Sequence, residues 1–429
     1  MQTIEQRIDA AMAREIAPDG PGAVLAIVRD GVPVFRKGYG LANVEWGIPM
    51  PADAVFPIAS LTKQFTAVAI MMLKERGLVA LDAPLQTYLP DFPLQGRHVT
   101  VRQLLNHTAG LRRDKASPDK HREISRLNLS LARLIELIAD APFEFEPGER
   151  YSYSNCGYVL LGAIIEAVSG RKYRDVLKTE MFDPLGMTNT FYLFDEPMVP
   201  KRVRGYQRGP GGIENASYLS PTYYHASGGL ASTVDDLALW DRAMRTHRLI
   251  GAESFAEMLT PVRLNDGTAF PYGFGFGTAD YRGHRVYHHT GGIIGFASHM
   301  AHLRDANLTT IVLSNLFLFP MDRVTRLLLR CGLDLPEVAA PARAADEAAD
   351  AFIGRFNIGA FPREIVARGD WFVFADQPNA MLVQSGDGEL CDTGDPEITY
   401  RFAGLSDGKY QRFEALSPLW PPQLYHRGA

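Results

Sequence analysis

Cysteine is scarce in this chain and poorly placed for structural work. There are three, Cys156, Cys331 and Cys391, widely spaced and odd in number. That count offers no disulfide framework and no thiolate cluster for zinc. The histidines include no His-Glu-x-x-His, so no metal and no cofactor is expected. No run reaches the roughly 18 apolar residues that a spanning helix requires, so no membrane partner is expected. A basic excess is also missing: the formal net charge is -5, which speaks against nucleic acid as a partner. The first twenty residues, MQTIEQRIDAAMAREIAPDG, lack the apolar core and cleavage site of a secretory leader. They read as an amphipathic helix, and a cytoplasmic protein is the expectation.

What is present is an ordinary globular composition, 46% hydrophobic and 22% charged over 429 residues, long enough for more than one domain. AVLAIVRDGVPVFRKGYG alternates around Asp30-Gly31, the signature of a β-hairpin. Helical spacing runs from Leu61 to about Arg76 and stops at Gly77. The chain then stays mostly helical to about residue 260. Beyond Pro271, four strand-like stretches precede a helix, MDRVTRLLLRCG. Strands at both ends of a helical body predict an α/β chain of α+β type, an antiparallel sheet whose first and last strands meet, flanked by helices. Residues 333–349 are rich in Ala, Pro and acid and read as a linker. Past them, short strands with Asp-Gly and Gly turns predict a small all-β barrel, lipocalin-like in form. The expected division is therefore a domain at 1–332, a linker at 333–349 and a barrel at 350–429.

Ser-x-x-Lys occurs four times: Ser60–Lys63, Ser117–Lys120, Ser169–Lys172 and Ser406–Lys409. Ser117 lies in a charged stretch before Pro118, Ser169 follows a helix, and Ser406 sits in a turn of the barrel. Ser406 also completes the Gly-x-Ser-x-Gly of Gly404 to Gly408, but no helix pattern follows it, as a nucleophile elbow requires. These three read as solvated turn residues. Ser60 stands at the head of an apolar helix, where unpaired N–H groups favour a developing oxyanion. Lys63, three residues on, shares its helix face. Buried, its amine would lose its charge and accept the serine proton.

Two further stretches offer partners. In GERYSYSNCGYVLLG, Tyr153 and Asn155 stand before another apolar helix. A phenol beside a lysine ammonium can lose its proton below its usual pKa of about 10, and the asparagine amide can hold a substrate carbonyl. In VYHHTGGIIGF, His289, Thr290 and Gly291 come at a strand end. The glycines after them let a substrate backbone approach, and the Gly292 N–H pairs with that of Ser60 as an oxyanion hole. His107-Thr108, in LLNHTAGL, offers the same dipeptide at the end of a helix and is set aside. Cys156 reads as a small buried filler, with a reactive thiol the alternative. Tyr223, Tyr224 and His225 are pocket or core, and Arg112 to Lys115 a solvated loop face or a pocket rim.

Taken in order, S-x-x-K, Y-x-N and H-T-G resemble the three motifs of the penicillin-recognising serine hydrolases. The leading tyrosine of the second is similar to that of class C β-lactamases and their esterase, D-aminopeptidase and D-amino-acid amidase relatives. FPIASLTKQFT, LLNHTAGL, FEPGERYSYSN, GGLASTVDDLALW and PYGFGF also resemble that family, over about residues 1 to 332. The resemblance implies a β-lactamase/transpeptidase-like fold. It implies Ser60 as the acylated nucleophile, Lys63 and Tyr153 as the proton-transfer pair, Asn155 as carbonyl ligand, and His289, Thr290 and Gly291 on the edge strand. β-Lactamases commonly carry K-T-G where this chain has H-T-G, which predicts little β-lactamase activity and a taste for neutral or amine-bearing esters, amides or short peptides. D-aminopeptidases resemble the chain most, though they carry two barrels where it has room for one. The expected partner is a small-molecule or short-peptide substrate, with a homodimer left open. A promiscuous esterase and an acylated sensor without turnover are the alternatives.

Overall fold

In the computed structural model, which describes residues 2–193, 198–209, 211–339, 349–358, 361–368, 371–375, 377–393 and 395–428, the expected hairpin is present. Asp30 and Gly31 take φ of 53° and 79°, the positive values of a type I′ turn. They join β1 (Ala23–Arg29) to β2 (Val32–Tyr39). The four later strands are β3 (Gly277–Tyr281), β4 (His284–Ile293), β5 (Phe296–Leu303) and β6 (Leu308–Ser314). They complete a sheet in the order β3-β4-β5-β6-β1-β2. β1 runs antiparallel to β6, with Ala23 opposite Ser314 and Arg29 opposite Leu308. The two ends of the helical body thus meet in the sheet, as the sequence suggested.

The helices that matter here are α1 (Ile4–Glu15), α2 (Thr62–Glu75), α3 (Asn155–Ser169), α4 (Val234–Arg245) and α5 (Met321–Gly332). α5 lies on β1, β5 and β6, and α4 on β1 and β6. Every residue of β6 is buried, as expected of a strand covered on both faces. α2 is buried from Thr62 to Leu73. A helix apolar on all sides belongs at the centre of a core, and α2 is packed accordingly. Phe65 stacks on Trp240 with centroids 4.0 Å apart, and Trp240 Nε1–H donates to Gln64 Oε1 at 2.9 Å. The first turn of α2 is therefore held rigidly.

Residues 1–278 with 284–334 form one compact unit, and 335–429 with 279–283 the other. The expected linker lies largely outside the described residues, which omit 340–348. The second unit is a closed barrel of eight strands, from Gly354–Ile358 to Trp420–Arg427, around an aromatic core that includes Phe352, Phe402 and Phe413. Two of its strands have weak sequence signals. Glu389–Asp392 is short, and Trp420–Arg427 opens with Pro421-Pro422. That last strand nonetheless pairs with the first, Phe356 opposite Arg427, and closes the barrel.

Candidate active site

Ser60 sits in a single 3-10 turn, Ala59–Leu61, immediately ahead of α2. Ala59 is driven to φ 47°, a left-handed backbone that costs a non-glycine residue about 1 kcal/mol. The turn is pressed against the sheet. Ser298 Oγ donates to the Ile58 carbonyl at 2.8 Å. A Cβ on Gly291 would run into that same carbonyl, Ser298 Oγ and the Ala59 side chain. Only glycine lets β4 come this close. One turn of helix on, Lys63 is completely buried, whereas Ser60 remains half-exposed. The other three Ser-x-x-Lys lysines, Lys120, Lys172 and Lys409, are all exposed. Ser117 does precede a helix, Pro118–Ile124, but the lysine three residues on is exposed rather than packed in a core.

Lys63 Nζ makes three close contacts: Ser60 Oγ at 3.2 Å, Asn155 Oδ1 at 2.8 Å and the Ser227 carbonyl at 2.7 Å. Burial drives its pKa well below the ordinary value, and the positive charges of Arg113 and Lys115 push the same way. A neutral amine has two hydrogens. Asn155 Oδ1 and the Ser227 carbonyl can only accept, so they take both, and the lone pair is left facing Ser60.

Tyr153 Oη shares a hydrogen bond with Ser60, which lowers its pKa, but burial outweighs that and keeps it above the usual phenol value. The sequence suggested that a lysine ammonium would ease the phenol toward its anion. Instead Lys63 Nζ lies over the ring face, 4.7 Å from its centroid, and desolvation keeps the phenol protonated. Asn155 opens α3, and its Nδ2–H donates to Asp114 Oδ1 at 2.8 Å. That bond sets the amide so that Oδ1 faces Lys63.

His289, Thr290 and Gly291 lie within β4 rather than at its end, since the strand continues through Gly292 to Ile293. Gly291 is buried and Gly292 exposed, and a Cβ on Gly292 would meet nothing within 4 Å. His289 is 5% exposed. Burial pushes its pKa down to about 3 despite a hydrogen bond to the Thr290 carbonyl. The imidazole is therefore neutral. Ser60, Lys63, Tyr153 and Asn155 form one contact set, with the His289 ring 6.1 Å from that of Tyr153.

Sequence reasoning missed two residues. His107, set aside as a helix end, does follow a short helix, Val101–Leu105. Its φ of 63° swings the ring against Tyr153, centroids 4.4 Å apart. Its sequence signals were the His-Thr pair it shares with the third motif and the likeness of LLNHTAGL to the family. Lys115, expected on a solvated face or a pocket rim, is 2% exposed and rests on the Tyr223 ring at 4.3 Å. Tyr223 and His225 belong to the core, while Tyr224 lines a cavity of about 540 Å³ with Gly228, Ile293 and Phe296. Cys156 is the buried filler, its thiol pushed up to about 12 by burial. Among the described residues, no group of three His, Cys, Asp or Glu side chains is placed to hold a metal ion. Nor is any described helix long and apolar enough to cross a membrane.

Residues 4–333 match the beta-lactamase family. The chain is 33% identical to penicillin-binding protein 4* of Bacillus subtilis over 315 residues, 68% of each chain. It is 29% identical to the D-aminopeptidase of Gluconobacter oxydans over 317 residues, 72% of this chain but 58% of that enzyme. Its fold superposes on the D-amino acid amidase of Ochrobactrum anthropi SV3, complexed with L-phenylalanine amide, with a TM-score of 0.68. That match has 25% identity over 77% of this chain and 98% of the other.

Proposed function

The chain belongs to the beta-lactamase family and is a hydrolase of its kind, and from that premise we propose that it cleaves small amides, short peptides or esters through an acyl-enzyme on Ser60. The observation that carries this reading is the buried amine of Lys63, its two hydrogens taken and its lone pair directed at Ser60 Oγ. Ser60 passes its proton to Lys63 Nζ as Oγ attacks the substrate carbonyl. The oxyanion is held by the Ser60 and Gly292 N–H groups. Tyr153, still protonated, donates its proton to the leaving nitrogen or oxygen as the carbonyl bond breaks, and draws its replacement from Lys63. Water then enters and gives up a proton to the same pair as its oxygen attacks the acyl carbon. The pair returns that proton to Ser60 Oγ as the bond to the acyl group breaks and the acid leaves. Asn155 donates its second Nδ2 hydrogen to a carbonyl of the substrate, and His289, Thr290 and Gly291 align the substrate along β4.

Three things support a D-aminopeptidase or D-amino-acid amidase type of substrate: the likeness to those enzymes, the open edge at Gly292, and a neutral imidazole where β-lactamases commonly carry lysine. The same neutral imidazole supports weak or absent β-lactamase activity. We further propose that residues 1–332 suffice for the chemistry and that a carboxylesterase activity accompanies it. Intact-protein mass and product release decide the matter with p-nitrophenyl acetate and D-alanine p-nitroanilide, on wild type and Ser60→Ala. Turnover by wild type alone is expected. A persistent adduct would mark an acylated sensor instead, and equal behaviour of the two proteins would discard Ser60.

A further inference from the structure

Three hydrogen bonds join the second motif to the third and a fourth lies within the third. The two at the ends have their directions fixed by groups that act in one sense only. The Ser154 amide N–H can only donate, and it lies 3.0 Å from His107 Nδ1. His107 is therefore unprotonated on Nδ1 and carries its hydrogen on Nε2. That nitrogen is 3.3 Å from the Tyr272 hydroxyl, which must accept from it. At the far end, the Thr290 carbonyl can only accept, and His289 Nδ1 lies 2.6 Å away. His289 thus carries a hydrogen on Nδ1, and in the neutral ring its Nε2, 2.9 Å from the Tyr272 hydroxyl, accepts a hydrogen bond from that O–H. Tyr158 also flanks Tyr272, but its own hydroxyl proton goes to the Leu105 carbonyl at 2.8 Å. Were Tyr272 to turn its proton to Tyr158, the buried Nε2 lone pair of His289 would be left without a donor.

We propose that His107 and Tyr272 are positioning residues which hold His289 as an imidazole protonated on Nδ1 alone, and that the site thereby selects substrates whose leaving group carries no carboxylate. The substrate half of this inference rests on the hydrolase reading given above. A carboxylate beside β4 needs a cation or a free N–H. His289 offers neither: one nitrogen is committed to a backbone carbonyl and the other accepts from Tyr272. To bind the anion, a proton must be added at Nε2, which reverses the Tyr272 hydroxyl and breaks the chain. The low pKa of His289, near 3, agrees with this resistance. Amides and esters with uncharged leaving groups meet no such obstacle.

The test has two independent parts. First, nitrogen-15 NMR of histidine-labelled protein at pH 7, assigned with His289→Gln, reads the tautomer without any need for activity. The expected spectrum shows His289 protonated on Nδ1 and hydrogen-bonded but unprotonated on Nε2, with the Nε2 resonance displaced in Tyr272→Phe. A proton on Nε2 in the wild type overturns the proposal. Second, kcat/KM is compared for D-alanine p-nitroanilide and D-alanine 4-carboxyanilide, which differ in the charge of the leaving group. The wild type is expected to prefer the neutral anilide. Tyr272→Phe and His107→Asn, the latter keeping an acceptor for the Ser154 amide, are each expected to narrow that preference about tenfold, the scale of one hydrogen bond. An unchanged ratio in both variants overturns the selectivity. If neither anilide turns over in the wild type, the hydrolase reading fails, while the spectrum still decides the chain.

Discussion

Lys63 Nζ lies 3.2 Å from Ser60 Oγ with its two remaining contacts made to atoms that can only accept. This relationship is what the proposed role of Lys63 as the base rests on. Replacing it with arginine tests the point, because a guanidinium keeps its proton at any working pH. Lys63→Arg is expected to lose at least about 1000-fold in kcat/KM, with intact mass showing no acyl adduct on Ser60. A variant that kept a tenth of the activity would remove Lys63 from the role.

The depressed pKa of Lys63 also fixes a pH profile. A base works deprotonated, so activity is lost only as pH falls through the folded-state value, which lies well below 10.5. An ordinary lysine would instead give a rate still climbing at pH about 9 to 11. The expected kcat/KM for D-alanine p-nitroanilide is flat across that upper range. A tenfold rise per pH unit there would show that Lys63 is charged in the free enzyme.

Tyr153 is held above the usual phenol range by burial, and in the proposed mechanism it serves as an acid. Tyr153→Phe keeps the ring beneath Lys63 but has no proton for the leaving group. An anilide needs that proton more than an activated ester does. The expected loss is about 100-fold or more on the anilide and clearly smaller on p-nitrophenyl acetate. Equal losses on the two substrates would argue against general-acid catalysis by Tyr153.

Much of this site was legible because its signals are local. A serine before an apolar helix, with lysine one turn on, needs no tertiary knowledge, and burial of Lys63 alone among the four candidates follows from the apolar residues on every side of α2. His107 and Lys115 were not legible in the same way. Each owes its place to the fold: His107 to a left-handed backbone that turns its ring onto Tyr153, and Lys115 to Tyr223, more than a hundred residues on. The meeting of β1 with β6 was readable as a pattern, but its register was not. In the barrel, Pro421-Pro422 hid the closing strand, since proline lacks the N–H that a ladder uses.

Cys156 adjoins Asn155 yet has a thiol pushed up to about 12 by burial. Cys331 is also buried, and Cys391, buried as well, is raised to about 11. The nucleophile in alkylation is the thiolate. Native protein held in iodoacetamide at pH about 8 is therefore expected to stay unmodified at all three positions and to be labelled at all three in urea. Rapid native labelling of Cys156, located by peptide mass, would restore it as a reactive group.

Gly291 and Gly292 stand side by side on β4 and should answer the same substitution in different ways. A Cβ at Gly291 would collide with Ser298 Oγ on β5 and with the Ile58 carbonyl and Ala59 of the turn that carries Ser60. Gly291→Ala must push that turn away from the sheet. The cost is expected to be about 1–3 kcal/mol of stability, the usual range for overpacking, seen as a lower melting temperature, together with a fall in kcat. At Gly292 a Cβ meets nothing within 4 Å, so Gly292→Ala should melt with the wild type. If substrate lies along this exposed edge, as proposed, the added methyl occupies its space and raises KM. Matched melting temperatures for the two variants would refute the tight packing of the nucleophile turn on β4. An unaltered KM in Gly292→Ala would move the substrate off that edge.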